Sequence, residues 1–246
     1  MFSTWTITEE PCFYYKSYGG KRKSKKQTLT FKLVYANITV VMENSKKIIQ
    51  TEQEIPTTKQ KLLKIGKDEF YRNGYLQTSL RHICASCGVT TGAFYFFFPS
   101  KDALFCSIVD PVIEQWRKLS ESLAEKEFED LSSGRENDRV FMEFEYRHRK
   151  ELLILLEKSA GSSREHFKEV VLETLTRYFT RSFFLSIGHD PNPEIIKLLV
   201  NIRFQSNINV LKGADDMKQA LFLNDVLACY ADGGFQNLIN KLKDVL

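Results

Sequence analysis

Thr90, Thr91, Gly92 and Ala93, followed by Tyr95, group small and hydroxyl-bearing side chains. That set suits hydrogen bonding to phosphates and base edges, not bond-breaking chemistry. Small residues let a helix approach a DNA groove closely, and Thr90 can cap such a helix. Lys101 stands between Ser100 and Asp102 at a further helix start, where free amides and a positive charge can hold a phosphate oxygen. No nucleophile with its base, no paired carboxylates and no metal-ligand set has a convincing spacing, so no enzyme is expected. Cys84 and Cys87 form a C-x-x-C, with Cys106 further on, which zinc or redox chemistry could use. Both fall on the apolar side of a short helix and read better as small hydrophobes. No metal and no cofactor are expected.

The elements that position these residues obey local rules. Thr78 is placed to cap a helix whose apolar positions Leu80, Ile83, Cys84 and Cys87 keep the spacing of one buried face. Gly88 supplies positive φ where that helix must stop, Val89 plugs the corner and Thr90 opens the next helix. Phe94, Phe97 and Phe98 are too apolar to be left together in water and should pack under the turn. Pro99 ends the run, and Ser100 caps a further helix. An earlier helix begins at Thr57, with Gln60 at capping-box spacing. Leu62, Leu63, Ile65, Phe70 and Tyr71 form its apolar face, and Asn73 and Gly74 end it. Gly66 inside that helix costs about 1 kcal/mol relative to alanine.

In order, Phe70, Gly74 with Tyr75, Thr78, Ile83, Gly88 with Val89, Gly92, Tyr95, Phe98 and Ser100 with Lys101 resemble the signature of the TetR family of bacterial transcriptional regulators. The resemblance is dense from Thr57 to Leu104; beyond that it rests on helix layout and length. It implies that Thr78 and Lys101 contact phosphates, that Tyr95 touches the DNA backbone, and that Thr90, Thr91, Gly92 and Ala93 form the leading edge of a recognition helix. Thr91 and Ala93 would meet base edges. Two positions depart from the pattern: Thr91 stands where many members have lysine or arginine, and Phe96 where many have histidine or another polar residue. Both changes shift readout toward thymine methyls and groove shape. The function implied is that of a repressor that binds a palindromic operator in double-stranded DNA as a homodimer and is released by a small-molecule effector. The alternative is a helical ligand-binding or protein-interaction module without sequence-specific DNA binding.

Composition sets bounds. The chain has 246 residues, 43% of them hydrophobic, enough for one or two domains with a sizeable core. Its longest apolar runs, such as Leu152 to Leu156, fall far short of the roughly 20 residues of a spanning helix, so no membrane partner is expected. The first residues lack the pattern of a secretory signal, and the odd count of five cysteines suits reduced thiols; both favour the cytoplasm. Residues 1–41 carry seven basic and two acidic side chains, a net +5, which leaves about −1 of the total +4 for the rest. DNA binding by the body of the protein must therefore come from local placement of charge. The tract GGKRKSKKQ precedes a segment, 29–41, that reads as a strand. The preferred expectation is that residues 1–41 precede a natural start at Met42 or are a dispensable extension; a basic arm adding phosphate contacts is the alternative.

The expected fold is all-α: an extension over 1–55, a three-helix DNA-binding domain over 56–116 with its helix-turn-helix at about 79–98, and a helical regulatory and dimerisation domain over 117–246. Pro111 should kink or break the connector. Residues 131–138 read as a loop, Ser162 with Glu165 as a capping box, Asn192 with Pro193 as a helix start and Gly233 with Gly234 as an interruption. Trp116, Phe141, Phe144 and Tyr178 are the weak candidates for an effector pocket, alongside Tyr146, Phe167 and Phe179; each suits a plain core equally well.

Overall fold

A computed structural model describes residues 57–129 and 134–243. The basic tract, the strand expected over 29–41 and the start expected at Met42 lie outside the described residues. Residues 56–246 form one compact unit. Its elements are helices: α1 (Thr58–Gln77), α2 (Leu80–Cys87), α3 (Thr91–Phe97), α4 (Lys101–Glu129), α5 (Gly134–Arg147), α6 (Arg149–Glu157), α7 (Phe167–Ile187), α8 (Pro193–Gly213) and α9 (Met217–Lys243). Among the described residues there is no strand.

The start of α1 is the expected capping box. Gln60 N donates to Thr57 Oγ1 at 3.3 Å and Thr57 N donates to Gln60 Oε1 at 2.8 Å. Gly66 faces α4 so closely that a Cβ there would lie 3.0 Å from Leu104 Cδ2. The helix penalty of this glycine is thus the cost of a tight α1/α4 crossing. The chain kinks at Gly74 and makes one more turn before α2. Here one expectation fails: Ser79, not Thr78, caps α2, its hydroxyl accepting from His82 N at 3.4 Å. Thr78 turns the other way, and its hydroxyl donates to Gly74 O at 2.6 Å and Glu69 O at 3.2 Å, sealing the end of α1.

Further along, α4 runs unbroken through Pro111, and the boundary expected at 116 falls inside it. The loop expected over 131–138 is shorter, because α5 begins at Gly134. Its polar residues find helix-borne partners: Asn137 Nδ2 donates to Leu123 O at 3.3 Å, and Asp138 pairs with Arg203 at 2.6 Å. Ser162 and Glu165 make no capping box. Glu165 instead accepts from Gly161 N at 2.8 Å and Ser162 Oγ from Arg164 N at 3.1 Å, so helix begins only at Phe167. Asn192 caps α8 as expected, accepting from Glu194 N at 2.9 Å. The last helix passes through Gly233 and Gly234 without interruption.

The main core is continuous from the helix-turn-helix into the body, with Leu62, Phe70, Ile83, Phe94, Leu104 and Phe105 joined through Val109, Val112 and Trp116 to Leu152–Leu156 and Phe167. Phe70, Tyr75 and Phe105 pack edge-to-face or stacked with centroids 5.0–5.8 Å apart. Polar contacts brace the same junction: Lys67 reaches Glu151 at 2.8 Å, Lys150 reaches Asp68 at 2.7 Å, and Tyr75 N donates to Lys158 O at 2.8 Å. The placement of α1 to α3 is therefore tied directly to α6 and the turn after it.

Candidate nucleic-acid interface

The candidate surface is built from one buried and one open face of α3. Thr90 caps the helix, its hydroxyl accepting from Ala93 N at 3.2 Å. Phe94 and Phe98 point inward and are buried, with centroids 5.6 Å apart. Burying one phenylalanine contributes roughly 2–3 kcal/mol, so this pair fixes which face of so short a helix looks out. The outward residues are Thr90, Thr91, Gly92, Ala93, Tyr95 and Phe96, all exposed. Phe96 is 86% exposed, the most open large hydrophobic side chain among the described residues. Gly92 is not demanded by packing, since a Cβ there would meet only Thr90 Oγ1 at 3.8 Å. By contrast Gly88 ends α2 at φ 71°, a conformation that only glycine adopts readily, and this sets the turn between α2 and α3.

Thr78 and Lys101 sit behind this surface. Thr78 is buried with its hydroxyl directed at carbonyls of α1. The ammonium of Lys101 donates to Tyr75 O at 2.7 Å and Thr78 O at 3.2 Å and lies 4.2 Å from the centre of the Tyr75 ring. Burial pulls the Lys101 pKa below its ordinary value. Both residues thus satisfy the carbonyls left open where α1 ends. A third support was not expected from the sequence. Glu69 is buried, yet its carboxylate takes Arg72 at 2.7 Å and Asn73 at 3.0 Å, and His82 lies 3.7 Å away on α2. Its signal is the spacing: Arg72 and Asn73 stand three and four residues after Glu69 on one helix.

Cys84 is buried and Cys87 half-buried, and burial raises both thiols above their ordinary pKa. That disfavours the thiolate that zinc or a nucleophilic reaction would need. Among the effector candidates, Trp116, Phe141 and Phe167 come together: Trp116 meets Phe167 edge-on at 5.5 Å and Phe141 at 6.3 Å. Trp116 and Phe167, with Ile113 and Val170, line an open cleft of about 540 Å³. The Asp110–Arg164 ion pair stands at its rim with contacts of 2.8 and 3.0 Å. Phe144 packs instead on His148 at 4.8 Å, and Tyr178 on Phe128 and Phe179 at 5.7 and 5.8 Å.

Residues 62–108 match the family model of bacterial regulatory proteins, tetR family. An uncharacterized HTH-type transcriptional regulator of Bacillus subtilis, YerO, is 26% identical over 165 residues, covering 62% of this chain and 55% of that protein. The HTH-type transcriptional regulator UidR of Escherichia coli is 34% identical over 61 residues, 25% of this chain and 30% of that one. The chain thus spans about half the length of the first of these relatives and less of the other. A TetR-like transcriptional regulator from Rhodococcus sp. RHA1, of known structure, aligns over 74% of this chain and 100% of its own at 20% identity, with a TM-score of 0.49. In its helix-turn-helix unit, residues 62–108, the chain is similar to the bacterial regulatory proteins of the tetR family.

Proposed function

We propose that the protein is a transcriptional regulator that reads duplex DNA with α3, acting as a repressor that binds a palindromic operator as a homodimer and leaves it when a small molecule binds. The observation that carries this reading is the open face of α3, formed by Thr91, Gly92, Ala93, Tyr95 and Phe96 above the buried Phe94 and Phe98. Thr91 and Ala93 face base edges, Phe96 suits thymine methyl groups, and Thr90 and the Tyr95 hydroxyl lie at the backbone. Thr78 and Lys101 act from behind, holding the end of α1 so that α2 and α3 keep their angle. Residues 56–116 read DNA, residues 117–246 regulate and dimerise, and residues 1–55 are an extension.

Two-fold pairing is supported by apolar surface on the last two helices. Leu198 and Ile202 on α8, and Phe222, Val226 and Tyr230 on α9, are exposed at four-residue spacing. A second copy covering them would place two α3 helices in successive major grooves, roughly 34–36 Å apart. The effector would shift the population toward dimers with wrongly spaced reading heads, which requires that it bind those more tightly. The cleft beside Trp116 is one candidate seat. No helix among the described residues is long and apolar enough to cross a membrane, in keeping with a cytoplasmic place of action. Selection from random duplex DNA with the purified full chain at moderate salt tests the reading. Enrichment of an inverted repeat is expected; if no repeat emerges, the protein is a helical ligand-binding module instead.

A further inference from the structure

The interior between α5, α8 and α9 carries a polar layer that the DNA-binding head does not use. Glu145 on α5 is buried, and among the described residues only Asn207 Nδ2 on α8 donates to its carboxylate, at 3.1 Å. Arg203, the cation that attracts it, spends its guanidinium on Asp138 at 2.6 Å. Burial pushes the Glu145 carboxyl up to about 7 despite the attraction of Arg203 and the Asn207 bond. Three further buried polar atoms have no hydrogen-bond partner among the described residues: Asn207 Oδ1, Asn224 Oδ1 and Asn224 Nδ2. Asn224 is only 1% exposed, so neither end of its amide is satisfied by those residues.

These groups share one region. Arg139 reaches Asp225, next to Asn224, at 2.6 Å and Arg135 reaches Asp232 at 2.7 Å, so α5 and α9 run antiparallel and Asn224 lies level with the stretch of α5 between Asp138 and Glu145. Asp138 and Glu145 are seven residues apart, on one helix face and about 10 Å along the axis. Met142, between them on that face, is buried. Its unbranched thioether can swing aside for an aliphatic chain more cheaply than a branched side chain could. The inventory is lopsided: acceptors on Glu145, Asn207 and Asn224 outnumber the spare donor at Asn224 Nδ2. Once Glu145 ionises the charge is lopsided too, two carboxylates against one arginine. A ligand that completes both must bring N–H donors and one positive charge.

We propose that this layer is a binding site for a short aliphatic primary amine, its ammonium seated on Glu145 and Asn207 Oδ1 and a second hydrogen-bonding group at its far end reaching Asn224. Such an amine is the effector of the regulator proposed above; that role rests on the DNA-binding reading, whereas amine binding itself is measured without DNA. Putrescine is the probe, titrated against the full chain in amine-free phosphate buffer at constant ionic strength, with the thermal midpoint as readout. A saturable rise in the midpoint is expected for putrescine, with none for tetramethylammonium, which has no N–H, or for potassium. Glu145→Gln should weaken half-saturation roughly tenfold or more, as loss of a charge-assisted hydrogen bond does. Asn224→Leu separates binding from folding. It removes an unsatisfied buried amide, so the midpoint without ligand should hold or rise while the response to putrescine is lost. A response shared by tetramethylammonium or potassium, no response to putrescine, or a full response in either variant overturns the proposal. Failure of operator selection with the amine response intact would overturn only the regulatory role.

Discussion

Glu69 and Glu145 are both buried glutamates on helices, in a head and a body that share one continuous core, yet their surroundings are opposite. Glu69 is held by Arg72 and Asn73 from its own helix and faced by His82 from the next. Glu145 has one amide bond and no ion-pair partner among the described residues. In the head, Thr78, Lys101 and Glu69 are all spent on rigidity, holding the junction from which α2 and α3 project. In the body, amide atoms of Asn207 and Asn224 find no partner among the described residues, inside packed helices. An unmet buried polar group costs about 1–3 kcal/mol, a poor way to build a scaffold and a reasonable way to keep a place for something else. The comparison teaches that the head is made to be one shape and the body to exchange one set of contacts for another.

The largest effect expected from this contrast lies in the head. Phe94 is completely buried under α3, and Phe94→Ala should lower stability by about 3–5 kcal/mol and abolish binding to every operator variant alike. Denaturant unfolding checks the first part; selective loss of some sequences only would mean that Phe94 reads bases after all. The two glutamates should then part in sign. The folded pKa of Glu145 is raised to about 7 from 4.5, so its neutral form stabilises the fold at acid pH and that contribution is lost as pH rises through 7. The loss amounts to roughly 3 kcal/mol between pH 4 and pH 8, since each tenfold change in proton affinity is worth about 1.4 kcal/mol. Glu145→Gln should therefore flatten the pH dependence and be the more stable form at pH 8. Equal pH slopes in the two proteins would break the comparison. Glu69→Gln removes a satisfied carboxylate and should destabilise by about 1.5–3 kcal/mol, through weaker bonds to Arg72 and Asn73; a gain in unfolding free energy there would erase the distinction between head and body.

How much of this was legible in the sequence differs between the same two regions. In the head the determinants are local. The Thr57–Gln60 box, the positive φ of Gly88, the Thr90 cap and the buried side of Phe94 and Phe98 each depend on residues within a turn or two, and each could be read directly. The expectation of a cap at Thr78 failed for a nonlocal reason: its hydroxyl goes back to Gly74 O and Glu69 O, which leaves Ser79 to cap α2. In the body the determinants are tertiary. Nothing near Ser162 announces that Glu165 turns back to Gly161 N, and nothing near Glu145 announces Asn207, sixty-two residues on. The helix faces were visible there, but the partner of a face is set by packing that no short window contains.

The smallest effect tests the open face itself. Tyr95 is 54% exposed and packs one ring edge against Phe94 at 5.5 Å, so the ring is held while the hydroxyl is free to reach outward. Tyr95→Phe keeps that ring contact and removes one hydroxyl from an exposed position, and stability should change by no more than about 0.5 kcal/mol. If the hydroxyl meets a phosphate, operator affinity should fall by about 1 kcal/mol, close to fivefold, to the same extent for every operator variant, because phosphate contacts position the protein without reading sequence. Fluorescence anisotropy on a selected operator and its single-base variants measures both quantities. A shift in base preference would move Tyr95 from the positioning residues to the reading residues, and the division of labour on α3 between Tyr95 and the Thr91 and Ala93 edge would have to be redrawn.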